Sequence, residues 1–274
     1  MQIDLSAYLL RIGLAALPRS AAGLARVQGA QMRAMPFENI VPFLGGVPDL
    51  APAAVWVRSI EGGWGGYCFE LNGLLGAALA AAGFAPRPVL ARVRMGAAEG
   101  GPRSHLAFVV PLGRRRWLVD AGFGGPGPAS PLDLRGGEQT DALGARFRLR
   151  AEARSGETVL DRWRGGGWFP LYGIDHAPVR PADILAANHV CATAPFSQFP
   201  RRLMVARIVP GGRLALSDRR LTRHGGAEED SAILPDAAAL HAALAGDFGL
   251  PVDAALARRL WDRLMAEERS GAAG

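Results

Sequence analysis

The spacing of apolar residues changes character near residue 85, and that change limits what this chain can fold into. Leu5, Leu9, Ile12 and Leu14, then Leu24, Val27 and Met32, then Leu71, Leu74, Leu75 and Leu79 recur at helical intervals, with Gly83 as a C-terminal stop. From Arg87 the apolar runs become short and β-like: PVLARVRM, HLAFVVPL, RWLVDAGF, RFRLRAE and TVLDRW, separated by turns of Gly, Pro and Arg. That pattern predicts a meandering antiparallel sheet or small barrel. Beyond Pro178 the spacing predicts a helix over 181–188, strands in RLMVARIVP and RLALSD, and a pair of helices over 236–244 and 252–268. No fixed-period repeat and no long linker interrupts the order. The expectation is an α+β chain in three packed units: helices over 1–84, a β unit over 85–177 and a mixed α/β unit over 178–274.

Composition narrows the function. With 274 residues, 49% hydrophobic and 20% charged, the chain has the apolar content to bury a core and is not disordered. Thirty-six glycines and 20 prolines without a Gly-x-y period make it loop-rich and exclude collagen. All 31 cations are arginine, so Schiff-base lysines and the lysine of a phosphate-binding P-loop are excluded. The net charge of +6 and the pI near 10.5 raise the question of nucleic acid. However, Arg114, Arg115 and Arg116 sit in a hairpin turn, and Arg201-Arg202 and Arg219-Arg220 are isolated pairs, so no nucleic-acid partner is expected.

The two cysteines make neither a disulfide framework nor a metal-ligand pair, which fits a reducing compartment. Asp4 and Arg11 break the apolar N-terminal stretch, and the run over 73–85 is too short to span a bilayer. A cytoplasmic protein without a membrane partner is expected. His176, His189, His224 and His241 share no ligand spacing with Asp or Glu, so no metal is expected either.

The chemistry concentrates in EGGWGGYCFELNGLLGAAL, where Cys68 follows a glycine-rich turn and opens an amphipathic helix. Free N–H groups and the partial positive charge of a helix N-terminus stabilise a thiolate, and glycines let a substrate approach the backbone. A buried, inert thiol is the plainer alternative for an isolated cysteine, and the one adopted for Cys191. For Cys68 a base and its orienter are also in view. His105 opens one predicted strand and Asp120 ends the next, eight residues before and seven after Gly113. A hairpin turning at Gly113 brings the two to the same end, where the carboxylate holds one ring nitrogen and leaves the other for Cys68. Cys68, His105 and Asp120 are therefore the candidate catalytic residues, with Cys68 expected as a thiolate paired with an imidazolium.

GGYCFELN around Cys68, PRSHLAFVV around His105, WLVDAGFGG around Asp120 and MPFENI around Glu38 together resemble the arylamine N-acetyltransferases. LLRIG near the N-terminus and TAPFSQF at 193–199 fall in the same order. The resemblance implies an N-terminal helical bundle, a central antiparallel β-barrel and a C-terminal α/β lid around a cysteine-protease-like catalytic core. It implies acetyl-CoA as acyl donor, a small-molecule arylamine or hydrazine as acceptor, and ping-pong transfer through an acetyl-Cys68 thioester, without a metal. It also places Phe37, Phe123, Gly124 and Phe199 along the substrate pocket, although the three phenylalanines are equally compatible with a core.

One position departs from the pattern. The family motif reads Arg-Gly-Gly-aromatic-Cys, and here Trp64 stands in the arginine's place. By the resemblance that arginine would pair with Glu38, so Glu38 must find another cation, with Arg58 a candidate, or be buried and protonated. The departure adds weight to an amide synthase of the same fold that takes its acyl chain from a carrier protein. A transglutaminase-like peptidase shares the Cys, His, Asp order but is not expected to carry PFEN with GGYCFELN.

Overall fold

The computed structural model describes residues 3–225 and 229–271. Helices dominate its first third: α1 (Leu5–Arg11), α2 (Ala21–Ala34), the short α3 (Ile40–Phe43) and α4 (Pro52–Trp56), then α5 (Cys68–Ala81). Their starts follow from local chemistry. The Asp4 carboxylate accepts from Ala7 N–H, and Ser20 Oγ accepts from Gly23 N–H, which satisfies orphan donors of the first turns. α4 runs into one π-helical turn, Val57–Glu61, that carries Arg58 towards the turn before Cys68.

The middle of the chain forms an eight-stranded antiparallel sheet, curled into a nearly closed barrel. Its strands are β2 (Arg87–Val93), β3 (Arg103–Leu112), β4 (Arg115–Val119), β5 (Leu132–Asp133), β6 (Gly137–Thr140), β7 (Arg146–Ala151), β8 (Thr158–Arg164) and β9 (Gly167–Ile174), in the order β5-β4-β3-β2-β9-β8-β7-β6. Every run expected to be a strand contains one, although RWLVDAGF leaves the sheet after Val119. β9 was hidden by its leading Gly167 and by Pro170, and it pairs with β8 through a register shift between Leu160 and Asp161.

β3 is buried on both faces, and this positions the site. Leu106, Phe108 and Val110 pack on the helices, while Ala107 and Val109 fill the barrel. The period of two therefore gives Ser104 to the helix side and His105 to the mouth of the barrel.

The last third holds α6 (Pro181–Thr193), β10 (Met204–Val209), β11 (Gly212–Ser217), β12 (Arg220–His224), β13 (Glu229–Ile233), α7 (Ala237–Ala242) and α8 (Ala254–Gly271). Here the structure departs from the expected two strands. Four strands form a sheet that also takes β1 (Phe37–Glu38), in the order β1-β10-β11-β12-β13. β1 is two residues long, too short to show a period, and β12 and β13 carry charged residues where an alternating apolar face would have marked them. The first and last thirds are thus interlocked: Ile40 and Phe43 belong to the same core as Leu203, Leu216 and Leu260, whereas Ala187 and Cys191 of α6 join the core of α2 and α5. Among the described residues no helix is long and apolar enough to cross a membrane.

Candidate active site

Cys68 is the first residue of α5. The preceding Tyr67 has extended backbone, and its N–H is accepted by the Glu70 carboxylate at 3.1 Å, which fixes the helix start. The Cys68 side chain is buried, with Sγ 3.8 Å from the carbonyl oxygen of Ser104 on β3. Gly122 lies against this turn so closely that a Cβ there would stand 2.8 Å from Cys68 Cα and 2.8 Å from Asn72 Nδ2. Only glycine fits.

His105 and Asp120 meet as the hairpin predicts, with Nε2 2.8 Å from Oδ2. The turn consists of Gly113 and Arg114, pairing Leu112 with Arg115 and Phe108 with Val119. Asp120 thus falls one residue past β4, and the contact is diagonal. The carboxylate is saturated. Oδ2 also accepts from the Tyr172 hydroxyl at 2.9 Å, while Oδ1 accepts from Asn72 Nδ2 at 2.9 Å and Gly122 N–H at 3.0 Å. Burial alone would raise the Asp120 pKa, but His105, Asn72 and the Gly122 N–H outweigh it and hold the carboxyl below its ordinary range. Burial pushes the Tyr172 phenol far up, so it remains a donor.

Asn72 and Tyr172 were missed in sequence. Asn72 was legible, because it lies one helical turn after Cys68 and its amide also reaches the Leu106 and Ala121 backbones. Gln28 was not. Its side chain accepts from Asp120 N–H at 3.1 Å and donates to the Pro128 carbonyl at 2.9 Å, across about a hundred residues of chain.

The surroundings of Cys68 work against the expected thiolate. Desolvation raises the Cys68 pKa well above the ordinary thiol value, Cys191, Asp120 and Glu70 push it the same way, and only the Leu106 N–H opposes them.

A second buried group lies on the other side of the turn. Arg58 donates to Glu38, stands 3.2 Å from Glu70 through Nε, and places its guanidinium 4.8 Å from the Trp64 ring centroid. Arg58 therefore supplies the cation that the motif lacks, and Trp64 lies against it as a stacking partner. Glu38 also accepts from Ile40 N–H at 2.8 Å. With two carboxylates around one guanidinium, burial and Glu38 push the Glu70 pKa up to about 8, against the pull of Arg58 and Tyr67 N–H.

Three of the four expected pocket residues form one wall. The Phe37 ring lies 6.2 Å from Phe199, which packs edge-on against Tyr67 at 5.4 Å. Gly124, at φ +80°, lies under the Phe37 ring. Phe123 is elsewhere, edge-on to His105 at 4.8 Å and to Tyr172 at 4.9 Å. The loop after Asp120 is held by the buried Arg213, which donates to the Gly125 and Gly127 carbonyls at 2.8 and 2.7 Å. Among the described residues no three His, Cys, Asp or Glu side chains cluster as metal ligands.

A family model described as N-acetyltransferase matches residues 21–257. This chain belongs to the arylamine N-acetyltransferase family. An arylamine N-acetyltransferase of Mycolicibacterium smegmatis is 34% identical over 259 residues, covering 91% of this chain and 93% of that protein. The structure of the Mycobacterium marinum arylamine N-acetyltransferase superposes with a TM-score of 0.89 at 30% identity, over 95% of this chain and 98% of that one; its complex with CoA gives a TM-score of 0.87. A more distant relative, proansamycin X synthase of Amycolatopsis mediterranei, is 29% identical over 258 residues, covering 90% of this chain and 98% of that protein. The family fold, with its N-terminal helices, eight-stranded barrel and C-terminal α/β region, is the one described above.

Proposed function

We propose that this N-acetyltransferase moves an acetyl group from acetyl-CoA to an arylamine or hydrazine through a thioester on Cys68. The observation that carries the reading is the saturated Asp120 carboxylate on His105 Nε2, at the end of β3 that adjoins the first turn of α5. With Nε2–H donated to Asp120, Nδ1 is the nitrogen free to take a proton.

Cys68 starts as a thiol, and its proton passes to His105 as sulfur attacks the thioester carbonyl. CoA leaves with a proton and acetyl-Cys68 remains. The amine then attacks that carbonyl and His105 removes its proton, which returns the thiol. An arylamine or hydrazine suits this step because its low basicity leaves the nitrogen lone pair free at neutral pH. Exchange between thioesters is nearly isoenergetic, so the first half needs no further energy source. Phe37 and Phe199, their rings tilted by 47°, offer apolar ring surface to an aromatic acceptor, and Phe123 packs against the base.

Mass spectrometry of the intact chain mixed with acetyl-CoA tests the reading. One acetyl group on Cys68, absent from Cys68→Ser and discharged by an arylamine, is the expected result. No adduct, together with intersecting double-reciprocal plots, would replace it with direct transfer in a ternary complex. The likeness to a proansamycin X synthase favours a second reading, an amide synthase using a larger acyl donor from a carrier protein. Loading of Cys68 by a carrier-bound acyl chain but not by acetyl-CoA would select it.

A further inference from the structure

Cys191 is a buried thiol to which the proposed reaction gives no role, and its sulfur does not lie where a merely space-filling residue would be of no consequence. Its Sγ stands 3.3 Å from the carbonyl oxygen of Ser104, the same oxygen that lies 3.8 Å from Cys68 Sγ. The shared acceptor caps the sulfur-to-sulfur separation at about 7 Å, so a disulfide requires both side chains to turn towards one another.

The placement is fixed by more than that carbonyl. Tyr67, the residue before Cys68, donates its hydroxyl to the Asn188 side chain, and Asn188 Nδ2 donates to the Pro48 carbonyl at 3.0 Å. Asn188 and Cys191 are three apart on α6 and so lie on one helical face. Anchoring Asn188 at Tyr67 sets Cys191 beside Cys68. Both are free thiols in one apolar cluster.

We propose that Cys68 and Cys191 form a dithiol site that hydrogen peroxide converts to an intramolecular disulfide, capping the reaction centre reversibly. In the first step His105 takes the Cys68 proton, the sulfur attacks one oxygen of hydrogen peroxide and the O–O bond breaks. Cys68 becomes a sulfenic acid and its proton leaves with the departing oxygen as water. In the second step the Cys191 sulfur attacks Cys68 Sγ, the S–O bond breaks, and the hydroxyl leaves as water with the Cys191 proton. Two thiols lose two electrons and one peroxide gains them. Because the second step is intramolecular, it competes with further peroxide for the sulfenic acid and keeps Cys68 off the irreversible steps of the oxidation ladder. A dithiol reductant reverses the bond by exchange.

The experiment treats the full chain with hydrogen peroxide in the absence of thiols, then divides it. One portion is digested without reduction for peptide mass spectrometry, and the other is reduced with dithiothreitol and assayed. The expected result is a linked peptide pair containing Cys68 and Cys191, with most of the activity restored by the reductant. Cys191→Ala and Cys191→Val should keep the untreated activity. After peroxide they should accumulate sulfinic acid at Cys68 and recover at least roughly tenfold less activity than the parent, a pattern that follows from irreversible overoxidation.

The linked peptide is read on the unsubstituted chain, so poor folding of a variant leaves that measurement intact, and it does not depend on which acyl group the enzyme transfers. Sulfinic acid at Cys68 without a linked pair, a disulfide between two chains, or equal recovery in parent and variants would each overturn the proposal.

Discussion

Two buried polar groups flank the turn that presents Cys68, and they are balanced in opposite ways. On the barrel side one carboxylate, Asp120, takes donors from His105, Asn72, Gly122 and Tyr172, and these neighbours hold it ionised against its burial. On the helix side two carboxylates, Glu38 and Glu70, divide one guanidinium, and Glu70 is pushed up towards its neutral form. The first group has donors in excess and a fixed charge. The second has acceptors in excess, and that excess pushes Glu70 towards its neutral form. A site that must orient a base needs the first kind of order. A turn that needs only to be held in place tolerates the second.

The contrast is sharpest in activity. Asp120→Asn keeps the shape but loses the negative charge, and its amide NH2 must face donors that were satisfied. By analogy with other Asp-His orienting pairs, kcat is expected to fall by about 10³–10⁴, in a steady-state assay of acetyl transfer. A fall of less than tenfold would mean that Asn72 and Tyr172 hold the imidazole adequately through the remaining oxygen.

On the helix side the largest effect should be in stability. Arg58→Met keeps an apolar stem against Trp64 and leaves Glu38 and Glu70 without a cation, so a loss of about 3–5 kcal/mol is expected in urea unfolding at pH 7. At pH 9 the loss should deepen, because Glu70, raised to about 8 in the parent, is then asked to ionise beside Glu38 without a cation. A loss that does not depend on pH would assign the role of Arg58 to packing.

These two sides were not equally legible in sequence. Cys68 and Asp120 could be read because each sits at an element boundary close to glycine, and His105 because a short hairpin links it to Asp120. Counting from Gly113 missed the two-residue turn by half a residue, yet still brought the pair together. Arg58 could be named as a substitute cation, but not its division between Glu38 and Glu70, which depends on how a π-helical turn meets β1. β1 itself was out of reach, since its pairing of Phe37 with Ala206 spans most of the chain and leaves no local period. The same holds for Cys191. Its burial was expected, but its position beside Cys68 depends on the Tyr67–Asn188 contact between residues 121 apart.

Glu70→Gln tests the mobile proton directly. With a folded pKa of about 8 against an ordinary 4.5, the unfolded chain releases its proton first as pH rises. The folded state then binds more protons than the unfolded state between those values, so stability falls as pH climbs from about 4.5 to about 8. Glutamine imitates the neutral form and removes that slope. The variant should match the parent near pH 5 and exceed it by at least about 1 kcal/mol above pH 8, read from urea midpoints. Parallel curves would show that Glu70 is ionised throughout and that Arg58 faces two anions.

Glu38→Gln should have the smallest effect of the set. One glutamate oxygen takes Arg58 and the other takes Ile40 N–H. Glutamine can serve one of them and presents NH2 to the other, which costs about one hydrogen bond, or 1.5 kcal/mol at most. Against that loss, removing the Glu38 charge lets Glu70 release its proton and become the full counter-ion of Arg58, 3.2 Å away. The pH slope assigned to Glu70 should then flatten as well, because the repulsion that raised its pKa has gone. The double replacement Glu38→Gln with Glu70→Gln decides whether the two carboxylates substitute for one another. If they do, each single change is mild and the pair costs several kcal/mol more than their sum, because Arg58 is left uncompensated. Additive losses would mean instead that each carboxylate is held by its own backbone donor, Ile40 N–H or Tyr67 N–H, and that the guanidinium contributes little to the turn that carries Cys68.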